Sequence, residues 1–207
     1  AGYYSYSPML IWKSIGFHFI MEETPFVRGE LVSDQTCISD KNMIHELELK
    51  GFGEIEKEKL FLKSFETLYL LYTKRLILKK NKKQIDFDFF MNHCQTSDSE
   101  VLTKFLIYRD LRTRGYVVKD GFGFGSDFRV YERGQYGEKG AKFLIFGLNE
   151  GQQEKMGNLQ KKIEEITQMG KEPIIAVIER RGEVIYYKIN KMNFYENKSR
   201  LEESFQL

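Results

Sequence analysis

From Ser99 to Arg114 the chain keeps a helical phase, with Leu102, Phe105, Leu106 and Leu111 spaced as one buried stripe, and at Gly115 that phase stops. Glycine just past the last periodic residue closes a helix, because it takes up a left-handed backbone without steric cost. Beyond Gly115 the pattern turns to short strand-like runs separated by glycine turns: Tyr116–Lys119, Phe128–Tyr131 and Lys142–Phe146. One more helix is predicted over Leu159–Met169, with Leu159, Ile163 and Ile166 facing inward. The continuous apolar run Ile174–Ile178 that follows suits a strand covered on both faces. Arg181-Gly182 is a turn signal, and Val184–Ile189 returns as its hairpin partner. Elements in this order bury their apolar faces as a small mixed sheet flanked by helices.

Ahead of the long helix the chain mixes elements. Val27 and Leu31-Val32 suggest a strand, and Ser39-Asp40 caps a helix over Asn42–Leu49 that Gly51-Phe52-Gly53 ends. Leu60-Phe61-Leu62 is a short apolar run. Ser64 opens a helix whose Phe65, Leu68, Tyr69 and Tyr72 share a face. Arg75–Leu78 is a strand candidate before the basic turn Lys79–Lys83, which reads as a solvated turn or an RNA contact. Asp86–His93 is helical, and Thr96-Ser97-Asp98 breaks it. The fold class is therefore α+β. Residues 1–21 are expected to be a leader, tag or preceding segment, 22–95 a small N-terminal α/β domain, 96–195 a C-terminal domain, and 196–207 a polar tail.

The 32 basic and 30 acidic residues leave a net charge of only +2, so any nucleic-acid site must be a local patch rather than a general field. Cys37 and Cys94 have no CxxC spacing, which suits reduced thiols and a cytoplasmic, intracellular setting. His18, His45 and His93 do not pair at a metal-ligand spacing, so neither a metal nor a cofactor is expected. The apolar stretch before Met21 is broken by Pro8, Lys13 and Gly16 and is too interrupted for a membrane span.

Residues 107–131 read IYRDLRTRGYVVKDGFGFGSDFRVY. This resembles the signature of the archaeal-type tRNA-splicing endonuclease family. The resemblance continues through KFLIF at 142–146 and KEPIIAVIERRGEVIYYKI at 171–189, and GFGEIEKEKLFLKSFETLYLLYTKRLIL at 51–78 is similar to the family's N-terminal domain. It implies a restriction-endonuclease-like C-terminal domain. It also implies cleavage of precursor tRNA at bulge–helix–bulge sites without metal. The 2'-hydroxyl attacks the adjacent phosphorus and leaves a 2',3'-cyclic phosphate and a 5'-hydroxyl. In the family a tyrosine acts as base, a histidine protonates the leaving oxygen and a lysine stabilises the charged transition state, roles that suit acid–base and phosphoryl chemistry.

Carried over residue by residue, Tyr131 matches the tyrosine and Lys171 the lysine, while the histidine position is Gly140. Glycine donates no proton, and loss of a general acid costs about 10²–10⁴-fold. Glu164 and Glu165 stand where catalytic members tend to present an arginine, and a carboxylate pair repels a phosphate backbone. The family builds assemblies of four similar units, homomeric or hetero-oligomeric, with C-terminal strands pairing across subunits. Ile185, Tyr186, Tyr187 and Ile189 are the expected interface residues, and Glu179–Glu183 or Asn149–Glu154 the candidate docking loop.

The first expectation is a structural subunit paired with a histidine-bearing catalytic subunit in a heterotetramer. A catalytic unit altered at position 140 is the second, and a non-enzymatic RNA-binding assembly module the third. A metal-dependent nuclease using Asp127 with Glu138 is the weakest, because no Glu-x-Lys spacing follows on a strand. Phe122-Gly123-Phe124-Gly125 reads as a tight turn between strands rather than a phosphate loop, since no helix N-terminus follows it.

Overall fold

Val27–Val32 (β1) alternates buried and exposed side chains along its whole length, as a strand with one face on a core must. A tight turn with Ser33 in the left-handed region folds Gln35–Ile38 (β2) back onto it. Asp40 then caps Lys41–Leu49 (α1), its carboxylate accepting the backbone N–H groups of Asn42 (2.9 Å) and Met43 (3.1 Å). Glu54–Glu56 (β3) and Lys59–Leu62 (β4) form a hairpin, Ser64–Tyr72 (α2) follows, and Leu76–Lys80 (β5) pairs with Lys83–Ile85 (β6). These strands make a six-stranded sheet in the order β3-β4-β2-β1-β5-β6, in which β1 and β5 run parallel. The computed structural model describes residues 26–121, 126–149 and 156–189.

Asp86 caps Phe87–Gln95 (α3) through the N–H of Phe89, 2.8 Å away. After the polar break, Val101–Thr113 (α4) leads to Val117–Asp120 (β7), Phe128–Tyr131 (β8) and Phe143–Asn149 (β9). Met156–Gln168 (α5) carries the chain across to Glu172–Ile178 (β10), parallel to β9, and Val184–Lys188 (β11) returns antiparallel. The second sheet is mixed, in the order β11-β10-β9-β8-β7, and the fold is α+β. Among the described residues no helix is long and apolar enough to cross a membrane.

The predicted helices all form, but three strands escape sequence reading. All three residues of β3 are exposed, so it has no apolar alternation to detect. β2 buries three residues in a row, and β6 buries only Ile85. The stripe of α4 also needs correction. Leu102 is 43% exposed, and the buried residues are Val101, Phe105, Ile107, Tyr108 and Leu111. The helix turns this face inward because α2 and the second sheet flank it. The Phe65 ring packs at a tilt on Tyr108 (5.0 Å) and edge-to-face on Phe128 (5.1 Å), so α2, α4 and β8 share one aromatic cluster. One hydrophobic core runs through both halves of the chain. Leu159 lies among residues whose side chains are outside the described set, whereas Ile166 is fully buried.

A buried polar seam completes the contact between the two halves. Glu66 is 2% exposed, and its carboxylate accepts the N–H groups of Gly53 and Lys63, each at 2.9 Å. Lys119, 8% exposed on β7, donates its ammonium to the Gly53 carbonyl. Arg112 on α4 donates to the carbonyls of Lys50 (2.8 Å) and Gly51 (3.0 Å) and to the Tyr108 hydroxyl (2.9 Å), and lies over the Phe52 ring. Burial pushes the Glu66 carboxyl up and the Lys119 ammonium down, each form being costly to charge away from water.

Two consequences follow for stability. Arg112→Ala removes three charge-assisted hydrogen bonds and strands two loop carbonyls, so denaturant titration should show a loss of about 2–4 kcal/mol. The raised Glu66 carboxyl keeps a proton in the folded state that the unfolded chain has already released, so its contribution makes stability fall as pH rises above 4.5. Unfolding free energies measured across that range should decline for the wild type relative to Glu66→Gln, which has no such proton to lose.

Candidate active site

The sheet register brings the ends of three neighbouring strands together. Tyr131 closes β8, and pairing of Val130 with Phe143 sets it opposite Lys142 at the start of β9. Parallel pairing of Phe143 with Glu172 sets Lys171, just before β10, on the other side of the same Lys142. Backbone bonds fix this arrangement: Lys142 N–H donates to Val130 O (2.9 Å), and Glu172 N–H donates to Lys142 O (3.0 Å). The backbones of Tyr131 and Lys171 are thus two strand spacings apart, about 10 Å.

Gly140 belongs to the same corner. A Cβ built on it would point at the Lys171 ammonium, 3.3 Å away, and would meet nothing else within 4 Å among the described residues. Its backbone is not in the left-handed region, so a side chain there is not excluded by conformation. Lys171 folds onto the neighbouring Ala141 carbonyl, which accepts its ammonium. Position 140 is therefore an open space facing a cation.

The loop between Glu132 and Gly140 is tied by its own turns, Gln135 N–H donating to Glu132 O (3.0 Å) and Lys139 N–H to Gln135 O (2.9 Å). Lys142 pairs with Glu132 across it. This loop delivers Tyr136 edge-on to the Tyr131 ring, with centroids 5.0 Å apart and planes at 89°. Burial raises the Tyr136 hydroxyl above its ordinary value, with the neighbouring Tyr131 hydroxyl contributing in the same direction. Behind Tyr136 stands Gly51, where a Cβ would approach Val117 to 2.3 Å and the Tyr136 ring to 3.2 Å. The end of α1 is thus the back wall of the corner. In the sequence Gly51 reads only as a helix stop and Tyr136 carries no mark, because neither contact leaves a local signal.

The other candidates lie elsewhere. Asp127 Oδ2 accepts the Gly147 N–H at 2.6 Å, inside the second sheet, and burial raises its carboxyl. β11 is an outer strand of that sheet, with Ile185 37% and Tyr187 53% exposed. Tyr186 instead turns inward, its hydroxyl donating to Asp110 Oδ2 (2.8 Å) under the Arg114 guanidinium. Ile189 N–H donates to Pro173 O at 3.2 Å. Glu179–Glu183 is a closed turn through Glu179 N–H to Glu183 O (3.0 Å), whereas residues 150–154 and 122–125 lie outside the described set.

Two family profiles match the chain: the N-terminal domain of the tRNA intron endonuclease over residues 27–91, and its catalytic C-terminal domain over residues 101–186. The chain belongs to the tRNA intron endonuclease family. Its relatives include proteins named tRNA-splicing endonuclease in archaea. That of Methanococcus maripaludis is 32% identical over 79% of this chain and 93% of the relative. That of Thermococcus kodakarensis is 32% identical over 79% and 97%. That of Thermococcus onnurineus is 32% identical over 81% and 98%. The match to the catalytic-domain profile spans the whole corner from Tyr131 to Lys171.

The two glycines of this endonuclease-family corner make opposite predictions. Gly51→Ala places a Cβ against Val117 at a left-handed backbone and should cost at least about 2 kcal/mol. Gly140→Ala meets only the flexible end of Lys171 and should change stability by less than about 0.5 kcal/mol. Denaturant midpoints of the two variants against the wild type check both.

Proposed function

We propose that this chain is a structural subunit of a tRNA-splicing endonuclease, working beside a histidine-bearing catalytic partner in a heterotetramer that excises introns from precursor tRNA at bulge–helix–bulge sites. The reaction forms a bond from the 2'-oxygen to phosphorus and breaks the bond to the 5'-oxygen, giving a 2',3'-cyclic phosphate and a 5'-hydroxyl. A base takes the 2'-proton and an acid delivers one to the departing oxygen. Tyr131 corresponds to the base and Lys171 to the cation at the phosphate. The acid has no counterpart here.

Position 140 carries the proposal. Gly140 faces Lys171 across open space, and no histidine follows His93 in the sequence. An oxygen leaving without a proton donor is a poor leaving group, and its absence costs about 10²–10⁴-fold. The exposed outer strand β11, with Ile185 and Tyr187 outward, offers free backbone groups to a neighbouring subunit's strand. The same open space favours a second reading, in which the chain is a catalytic unit altered at position 140. Tyr131 and Lys171 are retained beside a position that admits a side chain.

Cleavage of a bulge–helix–bulge RNA in the presence of chelator separates the two. The chain alone should be silent, and Gly140→His should stay silent until a histidine-bearing partner is added. Cleavage by the Gly140→His chain on its own would instead make Tyr131 and Lys171 a working pair that lacked only its acid. Efficient cleavage by the unmodified chain would end the structural-subunit reading.

A further inference from the structure

The basic turn Lys79–Lys83 takes no part in that chemistry. β5 and β6 meet through Asn81 and Lys82, both in the left-handed region (φ 50° and 67°), the pairing that a two-residue hairpin requires. The register sets Lys80 directly opposite Lys83 and Lys79 opposite Gln84. Like charges facing each other across two strands weaken a hairpin. Lys79, Lys80, Lys82 and Lys83 are all exposed, and none of them forms an ion pair with a described residue. A cluster of cations with no ion-pair partner among the described residues is therefore held on a tightly turned support, in a chain whose net charge is only +2.

The hairpin also borders a cleft of about 520 Å³, walled by Lys80, Lys83, Asp86 and Phe89. Phe89 is 55% exposed, an aromatic side chain left in water at the first turn of α3. Two carboxylates stand nearby. Asp86 is occupied in capping α3, and Asp88 is exposed on that helix. They leave the four lysines in excess. Lysine on an edge strand also blocks unwanted strand pairing. That role explains neither an exposed aromatic beside the lysines nor charges continuing through the turn.

The position of this patch in the sheet is informative. β6 is one edge of the six-stranded sheet and β3 the other, five strand spacings or about 24 Å apart. The loop leading into β3 is the one that abuts Tyr136 and the Tyr131–Lys171 corner. The lysine patch is thus too far away to touch the same phosphate. It is suited to nucleic acid that extends beyond the corner.

We propose that the β5–β6 hairpin and Phe89 form a second RNA-contacting surface, the lysines engaging backbone phosphates of precursor tRNA away from the cleaved bond and Phe89 stacking on an unpaired base. Phosphate contacts of this kind position a substrate without reading its sequence, and an aromatic face accepts any base. The inference rests on the reading of the substrate as precursor tRNA.

The test is a salt titration of binding. Fluorescence anisotropy of the full chain with a precursor tRNA transcript is compared for the wild type, Lys80→Glu/Lys83→Glu and the milder Lys80→Gln/Lys83→Gln. At about 0.1 M salt the Glu variant should bind at least roughly tenfold more weakly. The slope of log affinity against log salt should become shallower by about 2, one for each lysine lost. A minimal bulge–helix–bulge RNA without flanking arms should bind all three proteins alike. Equal precursor-tRNA affinity and slope for wild type and both variants, with unfolding midpoints matched, would overturn the proposal and leave edge protection as the role of the lysines. Unchanged RNA affinity with an altered oligomeric state would also overturn it, in favour of a protein contact. A wild-type chain that binds neither RNA would bring down the precursor-tRNA reading itself, and this surface with it.

Discussion

The Tyr131 side of the candidate site depends on how the Lys50–Gly53 loop is held. This short loop ends α1 and enters β3, yet its carbonyls and N–H groups are bound from outside its own sheet: Arg112 on Lys50 and Gly51, Lys119 and Glu66 on Gly53. Burying a carboxylate and an ammonium is costly unless each is hydrogen-bonded, and here the loop backbone supplies the bonds. The arrangement is directional where hydrophobic contact is not. The aromatic cluster of Phe65, Tyr108 and Phe128 provides attraction between the halves, and the polar seam gives Glu66, Lys119 and Arg112 hydrogen-bond partners in this orientation.

That orientation reaches the candidate corner through Gly51. With the loop pinned, Gly51 sits against Val117 and Tyr136, Tyr136 braces Tyr131, and the β8 end is held beside the start of β9. Lys171 arrives by an independent route, from the end of α5 into a parallel strand. The two strand ends meet because β9 lies between them in the sheet. A loop that varies at Gly140 leaves this scaffold intact, since the glycine bears no packing or backbone requirement. The fold around the corner can therefore tolerate a change of residue at position 140.

Much of this was legible in the chain itself. The cap at Asp40, the helix after Asp86, the stop at Gly115 and the hairpin around Arg181-Gly182 follow from local chemistry and appear where the residues predict them. Leu102 misled because helical spacing fixes which residues share a stripe but not which neighbouring stripe meets a partner. A rotation of one residue, about 100°, exchanges Leu102 for Val101. β3 and β6 went unseen because edge strands with exposed side chains carry almost no apolar pattern.

By itself, then, the sequence determined the helices, most strands, the family signature and the chemical fact that position 140 holds no proton donor, since each depends on residue type and short spacing. Only the tertiary structure decided that Tyr131, Gly140 and Lys171 share one corner, that Tyr136 and Gly51 stand behind it, and that Glu66 and Lys119 are buried partners of one loop. Strand register and the packing of one half on the other join residues far apart in the chain. Their energy lies in contacts that exist only after folding, so no local pattern announces them.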